Sequence, residues 1–213
     1  MVNSFAISDT NLFAGIGVGG VFLSTNKGTS WTAVNSGLTN LDVLSLAVSG
    51  TNLFAGTGIG GGVFLSTNNG TSWTAVDSGL TASYVYSLAV MGTNLFAGTG
   101  GGVFRSTDGA TSWTAANEGL PTYASVTALA VSGANLFAAA GSSVYLSTDN
   151  GTSWTAVSYP WSSNSVTSLA ANGTNLFAGT FGMGAFRATN NGTDWTPLYP
   201  FRVYRSRGKR PAA

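Results

Sequence analysis

The sequence predicts an all-β fold, a β-propeller of four-stranded antiparallel blades, with five blades in 213 residues. Three observations lead there. A tryptophan recurs at Trp31, Trp73, Trp113, Trp154 and Trp195, with steps of 42, 40, 41 and 41. The run Asn-Leu-Phe-Ala recurs in step with it, starting at Asn11, Asn52, Asn94, Asn135 and Asn175. Between these markers the apolar runs are only five or six residues long and end at glycine or asparagine. A fixed period of this size marks repeated supersecondary units, and runs of that length are strands, not helices. A parallel β-helix also repeats, but its rungs are shorter and lack hairpin turns of this kind.

The second copy shows the four strands in order. Val43-Leu44-Ser45-Leu46-Ala47-Val48 is rich in β-branched and leucine side chains, and Ser49-Gly50-Thr51 turns it. Asn52-Leu53-Phe54-Ala55-Gly56 returns, and the glycine cluster Gly58 to Gly62 turns the chain again. Val63-Phe64-Leu65-Ser66-Thr67 is the third strand, and Ser72-Trp73-Thr74-Ala75-Val76 is the fourth after a tight Asn68-Asn69-Gly70 turn. Each break uses residues that favour turns. Such four-stranded units, repeated around an axis, are propeller blades. Strand one of the first copy begins at Val2 and strand four of the last ends near Leu198, so no blade shares strands across the chain ends. Closure into a five-bladed ring is then expected to rest on packing between the first and fifth sheets.

Residues 1–200 read as one five-repeat domain, and residues 201–213 as a basic tail expected to be disordered. Only 7% of residues are charged, while 44% are hydrophobic and 30 are glycine. Ordinary globular proteins carry about a quarter charged residues. Disorder needs high charge and few aromatics, so this mix describes apolar strands joined by glycine-rich turns. The net charge of +1 conceals an uneven distribution. Residues 1–200 hold Lys27, Arg105 and Arg187 against seven acids, a net of −4. There is no cysteine and hence no disulfide or thiolate chemistry. No apolar run is long enough for a transmembrane helix, and no export signal precedes the first strand as written.

The segment closing each copy is Ser66-Thr67-Asn68-Asn69-Gly70-Thr71-Ser72-Trp73 in the second. Its counterparts carry Asn26 and Trp31, Asp108 and Trp113, Asp149 and Trp154, and Asn190 and Trp195, with Asn68 and Trp73 here. This resembles the Asp-box, or BNR repeat, the Ser/Thr-x-Asp-x-Gly-x-x-Trp hairpin between the third and fourth strands of propeller blades. That family includes sialidases, sortilin-type receptors, xyloglucan hydrolases and photosystem II assembly factors. The near-identical copies look most like Asp-box arrays of uncharacterised bacterial secreted proteins. The third copy departs in having Gly109 one place early, and the fifth in beginning Ala188-Thr189. The resemblance implies a structural role for the box, on the face away from the usual ligand site, and an extracellular or cell-surface location. Asn can replace Asp because either side chain accepts backbone N–H bonds two residues on without needing a charge.

Two motifs mislead. Gly15-Ile16-Gly17-Val18-Gly19-Gly20 and Gly56-Thr57-Gly58-Ile59-Gly60-Gly61 have the dinucleotide-binding spacing. That motif requires a following helix, and here strands follow. No cofactor is expected. Without histidine or cysteine, neither His-dependent nucleophile triads nor the usual zinc sites can be built. Arg105 and Arg187 align with Leu23, Leu65 and Leu146, an outward strand position rather than the arginine cluster of a sialidase. A glycosidase needs two carboxylates flanking one bond. Outside turns and boxes only Asp42, Asp77 and Glu118 remain, in three successive links between blades.

The copies differ most in the loop between strands two and three and in the link from strand four to the next blade. In a propeller these lie on one face, opposite the boxes. They bring Tyr84, Tyr86, Tyr123, Tyr159, Trp161, Phe181 and Met183 to that face. Aromatic side chains offer large contact area at small entropic cost. Tyr84, Tyr123, Tyr159 and Trp161 are therefore the candidate stacking platforms, with Asp42, Asp77 and Glu118 as hydrogen-bond acceptors. The tail from Phe201 to Arg210 holds Arg202, Arg205, Arg207, Lys209 and Arg210, but the domain has no basic face, which argues against a nucleic-acid partner. The expected function is a non-catalytic binding or scaffold module for a glycan or peptide. The alternative is a carbohydrate-active hydrolase of the same propeller class.

Overall fold

The computed structural model describes residues 1–157 and 165–198. Among them, twenty strands form five separate four-stranded antiparallel sheets, each with its strands in chain order. Blade 1 comprises β1 (Val2–Ser8), β2 (Asn11–Ile16), β3 (Gly20–Ser24) and β4 (Thr32–Ala33). Blade 2 comprises β5 (Val43–Ser49), β6 (Asn52–Thr57), β7 (Val63–Ser66) and β8 (Thr74–Ala75). Blade 3 comprises β9 (Val85–Met91), β10 (Asn94–Thr99), β11 (Gly102–Ser106) and β12 (Thr114–Ala115). Blade 4 comprises β13 (Val126–Ser132), β14 (Asn135–Ala140), β15 (Ser143–Ser147) and β16 (Thr155–Val157). Blade 5 comprises β17 (Val166–Asn172), β18 (Asn175–Thr180), β19 (Gly184–Thr189) and β20 (Asp194–Pro197). The described residues contain no helix long and apolar enough to cross a membrane. Both dinucleotide-like glycine runs are strand-to-strand turns, followed by β3 and β7.

The first hairpin of every blade has a two-residue turn whose first central residue has positive φ. Glycine supplies it at Gly50, Gly92, Gly133 and Gly173, and Asp9 adopts it in blade 1. The first strand pair of each blade then carries a register shift that skips one residue, namely Asn3, Leu44, Tyr86, Thr127 or Thr167. Such a bulge re-aims one side chain out of the sheet's alternation. Asn3 Nδ2 donates to Val43 O at 2.9 Å, and Thr127 Oγ1 to Val166 O at 2.8 Å, so both reach into the next blade.

The core lies between sheets. Phe13 and Val21 of blade 1 are buried with Leu46, Phe64 and Trp73 of blade 2. Phe54 and Val63 meet Leu95, Phe104 and Trp113, and Phe96 and Val103 meet Leu136, Tyr145 and Trp154. Phe137 and Val144 meet Leu176 and Phe186 at the last seam. A blade alone therefore has half a core, as repeat units generally do.

The turn box is wired to the same seams. Within a box the first serine accepts the glycine-position N–H, as in Gly28 to Ser24 Oγ at 2.9 Å and Gly70 to Ser66 Oγ at 2.8 Å. The Asn or Asp side chain accepts the N–H four residues on, at 2.9 Å in Ser30 and Ser72 and 3.0 Å in Ser112. With Asn the amide donates to the serine hydroxyl (Asn68 Nδ2 to Ser72 Oγ, 2.9 Å), whereas with Asp the hydroxyl donates to the carboxylate (Ser112 Oγ to Asp108 Oδ2, 2.6 Å). The hydroxyl reverses its role, which is why both residues serve. The indole then crosses the seam: Trp73 Nε1 donates to Val34 O, Trp113 Nε1 to Val76 O (both 2.7 Å) and Trp154 Nε1 to Ala116 O at 2.9 Å. Trp73 N also leaves its own sheet for Ser36 O at 2.8 Å, and Ser72 N is taken by Asn68. This shortens the fourth strand of blade 2 from the expected residues 72–76 to Thr74–Ala75.

Two expectations need correction. Arg105 does not point outward: its guanidinium enters the seam and donates to Asn150 O at 3.0 Å in the next blade's box. Ring closure is also not formed. β1, β5, β9, β13 and β17 pack in succession, but among the described residues β17 does not pack back on β1. Phe5 is 64% exposed where its counterpart Leu46 is 7%, and Trp31 is 36% exposed. Among the described residues the five blades form an open run.

Trp113→Ala is expected to cost about 3–5 kcal/mol, the range for deleting large buried aromatics, whereas Trp31→Ala at high dilution costs far less. Equilibrium urea unfolding of the two variants measures both. The Asp108 and Asp149 carboxyls are held at about 2, below the ordinary 3.8, chiefly by the hydroxyls of Ser112 and Ser153, then by their N–H groups. A depressed folded value means the contribution is present above 3.8 and is lost as pH falls through about 2. The double change Asp108→Asn/Asp149→Asn should leave Tm at neutral pH nearly unchanged and flatten its decline in that acid window. Thermal melts across the window test this.

Candidate ligand-binding site

Chain direction places the turn between the second and third strands at the same end of a blade as the links to its neighbours, opposite the boxes. Backbone hydrogen bonds fasten these segments together. Gly20 N donates to Leu41 O and Gly58 N to Asp42 O, both at 2.8 Å, Gly60 N to Ser83 O at 3.2 Å, and Phe181 N to Ser165 O at 2.9 Å. The variable loops are therefore a connected surface.

On blade 3 that surface gathers aromatic rings beside a cleft. Tyr84 precedes β9, and Tyr86 is the residue skipped by its bulge. Their rings stack with centroids 5.4 Å apart and an interplanar angle of 10°. The bulge explains the pair, because alternation along a regular strand would not by itself leave Tyr86 free of the sheet's register. Gly100 borders the stack: a Cβ placed there would lie 3.9 Å from the Tyr86 hydroxyl. The adjoining Gly101 begins a cleft of about 380 Å³ lined by Asn117, Leu120, Pro121, Thr122 and Tyr123. Its floor is held rigidly, with Asn117 Oδ1 accepting Val103 N–H at 2.7 Å and Thr99 Oγ1 donating to Gly102 O at 2.8 Å. Tyr123 stands at the rim, 89% exposed, on a backbone with φ of 58°. Left-handed backbone at a tyrosine is uncommon and projects this ring from the link.

The predicted acceptors are distributed differently. Asp42 and Asp77 flank the glycine loop of blade 2. The Asp42 carboxylate occupies the place a side chain at Gly58 would take, and Asp77 lies where a side chain at Gly62 would fall. Both are half-buried. Asp77 aligns with Asn35 and Asn117, whose side chains accept the N–H of Val21 and Val103, the second residues of the third strands of their own blades. Glu118 is not with them. Its carbonyl accepts Trp154 N–H at 2.8 Å, and its backbone bridges Ser153 in the neighbouring box, so it belongs to the seam. Tyr159 and Trp161 lie outside the described residues. Phe181, in the corresponding turn of blade 5, is 75% exposed. Among the described residues no three of His, Cys, Asp and Glu converge as a metal site would require.

Residues 83–204, more than half of the chain, match the family described as the DUF6242 beta propeller domain. The chain belongs to this family. No curated protein matches the DUF6242 chain by sequence. Solved structures share its fold. The GH74 enzyme of Niastella koreensis is similar over 93% of this chain and 37% of its own, with 20% identity and a TM-score of 0.78. The extracellular domain of BT4673 from B. thetaiotaomicron is similar over 92% of this chain and 27% of its own, at 18% identity and a TM-score of 0.76. YCF48 bound to D1 peptide is similar over 91% of this chain and 64% of its own, at 17% identity and a TM-score of 0.65. The DUF6242 chain thus spans about a third of the length of the first of these structures.

Proposed function

We propose that this chain is a non-catalytic binding or scaffold propeller module of a bacterial secreted or surface protein, and that its ligand is a glycan or peptide. The carrying observation is the stacked Tyr84–Tyr86 pair next to the cleft under Tyr123, on the loop end of blade 3. Flat rings at a rigid, weakly charged cleft suit the apolar face of a sugar ring or the side chains of an extended peptide. Tyr159 and Trp161, in the following link, would extend the platform, and Asp42 and Asp77 would accept hydrogen bonds farther along the same end. The turn boxes are read as Asp-box repeats with a purely structural role, which accords with a secreted or surface location. YCF48 bound to D1 peptide is a precedent for peptide binding on this fold, and the extracellular domain of BT4673 a precedent for its location.

One observation favours a second reading, a carbohydrate-active hydrolase. Asp42 and Asp77 both address one glycine loop, and the GH74 enzyme of Niastella koreensis has the same fold. In that reading the two carboxylates would flank a glycosidic bond.

A glycan array and a peptide library probed with the full chain would identify the ligand. Tyr123→Ala is expected to weaken that binding at least tenfold without lowering Tm. Gly101→Leu should abolish it by filling the cleft, because a Cβ at that position meets its nearest neighbour, Ala82, at an ordinary 3.7 Å. Unchanged affinity in both variants moves the site elsewhere. Hydrolysis of a bound glycan that disappears in Asp42→Asn or Asp77→Asn establishes the enzyme instead.

A further inference from the structure

The hydrogen-bonding groups at the blade 3 cleft fall into two kinds. Those at its floor are taken up by one another. Asn117 Oδ1 accepts Val103 N–H at 2.7 Å, and its Nδ2 donates to Gly101 O at 3.4 Å. Gly101 N–H donates to Thr99 Oγ1 at 3.0 Å, and that hydroxyl donates in turn to Gly102 O at 2.8 Å. The rim differs. Among the described residues the hydroxyls of Tyr84, Tyr86 and Tyr123 have no protein partner. None of the described residues lining the cleft is charged. The site therefore sets phenolic O–H donors around apolar surface, with neither a carboxylate nor an unengaged side-chain amide inside it.

That balance discriminates between ligand classes. A sugar hydroxyl is donor and acceptor at once, and its proton needs an acceptor in the site. An ordinary extended peptide brings an N–H at every residue and needs an acceptor for each one it buries. A proline-rich segment brings carbonyl acceptors and no N–H at its prolines. It requires donors and apolar surface, and these are what the rim and wall of the cleft present. Such a segment also holds its extended left-handed helix before binding, so little conformational freedom is lost on docking.

Shape agrees with this chemistry. The Tyr84 and Tyr86 rings are 5.4 Å apart and within 10° of parallel, so a ligand lies against the stack and not between its rings. Past Gly100 and Gly101 the cleft opens under Tyr123, with Leu120 and Pro121 in its wall. The link carrying Tyr123 is set in advance. Leu120 N donates to Asn117 O at 3.0 Å and Ala124 N to Pro121 O at 3.1 Å, two turns that hold the link on either side of the cleft. A preset site loses less freedom when it is occupied. The whole site lies on blade 3 and its link to blade 4, with a sheet packed on both sides of that blade.

We infer that the partner of this site is a proline-rich peptide segment in the polyproline II conformation. A pyrrolidine ring sits in the cleft under Tyr123, and backbone carbonyls accept from the hydroxyls of Tyr84 and Tyr86. The inference rests on the binding function proposed above and narrows its ligand to this one class.

The test titrates the full chain into three fluorescently labelled probes and follows anisotropy. The probes are an oligoproline, a Gly/Ser peptide of the same length and a β-glucan oligosaccharide. Oligoproline should bind saturably and the other two should not. Tyr123→Ala, and separately the double change Tyr84→Phe/Tyr86→Phe, should each weaken oligoproline binding by about tenfold, as truncation of a central aromatic contact does. Tm should stay unchanged, since the Phe variants keep both rings and remove only the donors. Oligoproline that fails to bind, or that binds both variants as tightly as the unaltered chain, overturns the inference. Should the glucan or the Gly/Ser peptide bind through Tyr123 in its place, the inference falls while the binding function stands. If no probe and no ligand from the glycan array or peptide library depends on Tyr123, both fall together.

Discussion

The seam between successive sheets is the interaction on which everything else depends. A four-stranded sheet of two- to seven-residue strands has too little surface on either face to bury a core by itself, so each blade is stable only against a neighbour. The tryptophan of the turn box is the device that specifies this contact. Its ring fills the space between the sheets while its Nε1–H satisfies a carbonyl on the preceding blade. One side chain thus supplies apolar area and a directional bond, and the combination sets the distance and angle between neighbouring blades.

The rest of the box serves to hold that indole in place. A serine hydroxyl, a short Asn or Asp side chain and a residue with positive φ satisfy the turn internally, so that the backbone N–H of the tryptophan is released to the neighbouring blade. The constraint explains which variations occur among the copies. Asp and Asn exchange because the partner hydroxyl can donate or accept. Ala110 takes the glycine place in blade 3 with φ of 72° and still donates its N–H to Ser106 at 2.9 Å. Tryptophan closes the box in all five copies, and in blades 2, 3 and 4 it fills the seam and donates across it.

With the box end devoted to the seams, the opposite end is free to differ. Among the described residues its loops are tied to one another through main-chain hydrogen bonds, whatever side chains they carry. Among the described residues, blade 3 uses that freedom through two tyrosines around a bulge and a proline-containing link that lifts Tyr123 into solvent. Of the carboxylates that stand out in the linear sequence, Asp42 and Asp77 flank the blade 2 glycine loop, and the backbone of Glu118 lies along the neighbouring box.

The sequence alone determined the blade, the number of blades and the role of the box, because these depend on local turn chemistry and strand length repeated five times in register. It also placed the aromatic loops on one end, since chain direction requires it. Tertiary structure decided what depends on contacts between repeats. The run of blades stays open, Arg105 enters a seam although its strand position reads as outward, and Trp31 is exposed although it is identical in sequence to its buried counterparts. Which tyrosines meet was likewise decided in three dimensions, since a one-residue bulge at Tyr86 changes the direction of a side chain without changing the pattern of the strand. Identical repeats have identical local physics, and only position in the array distinguishes a tryptophan with a blade beside it from one without.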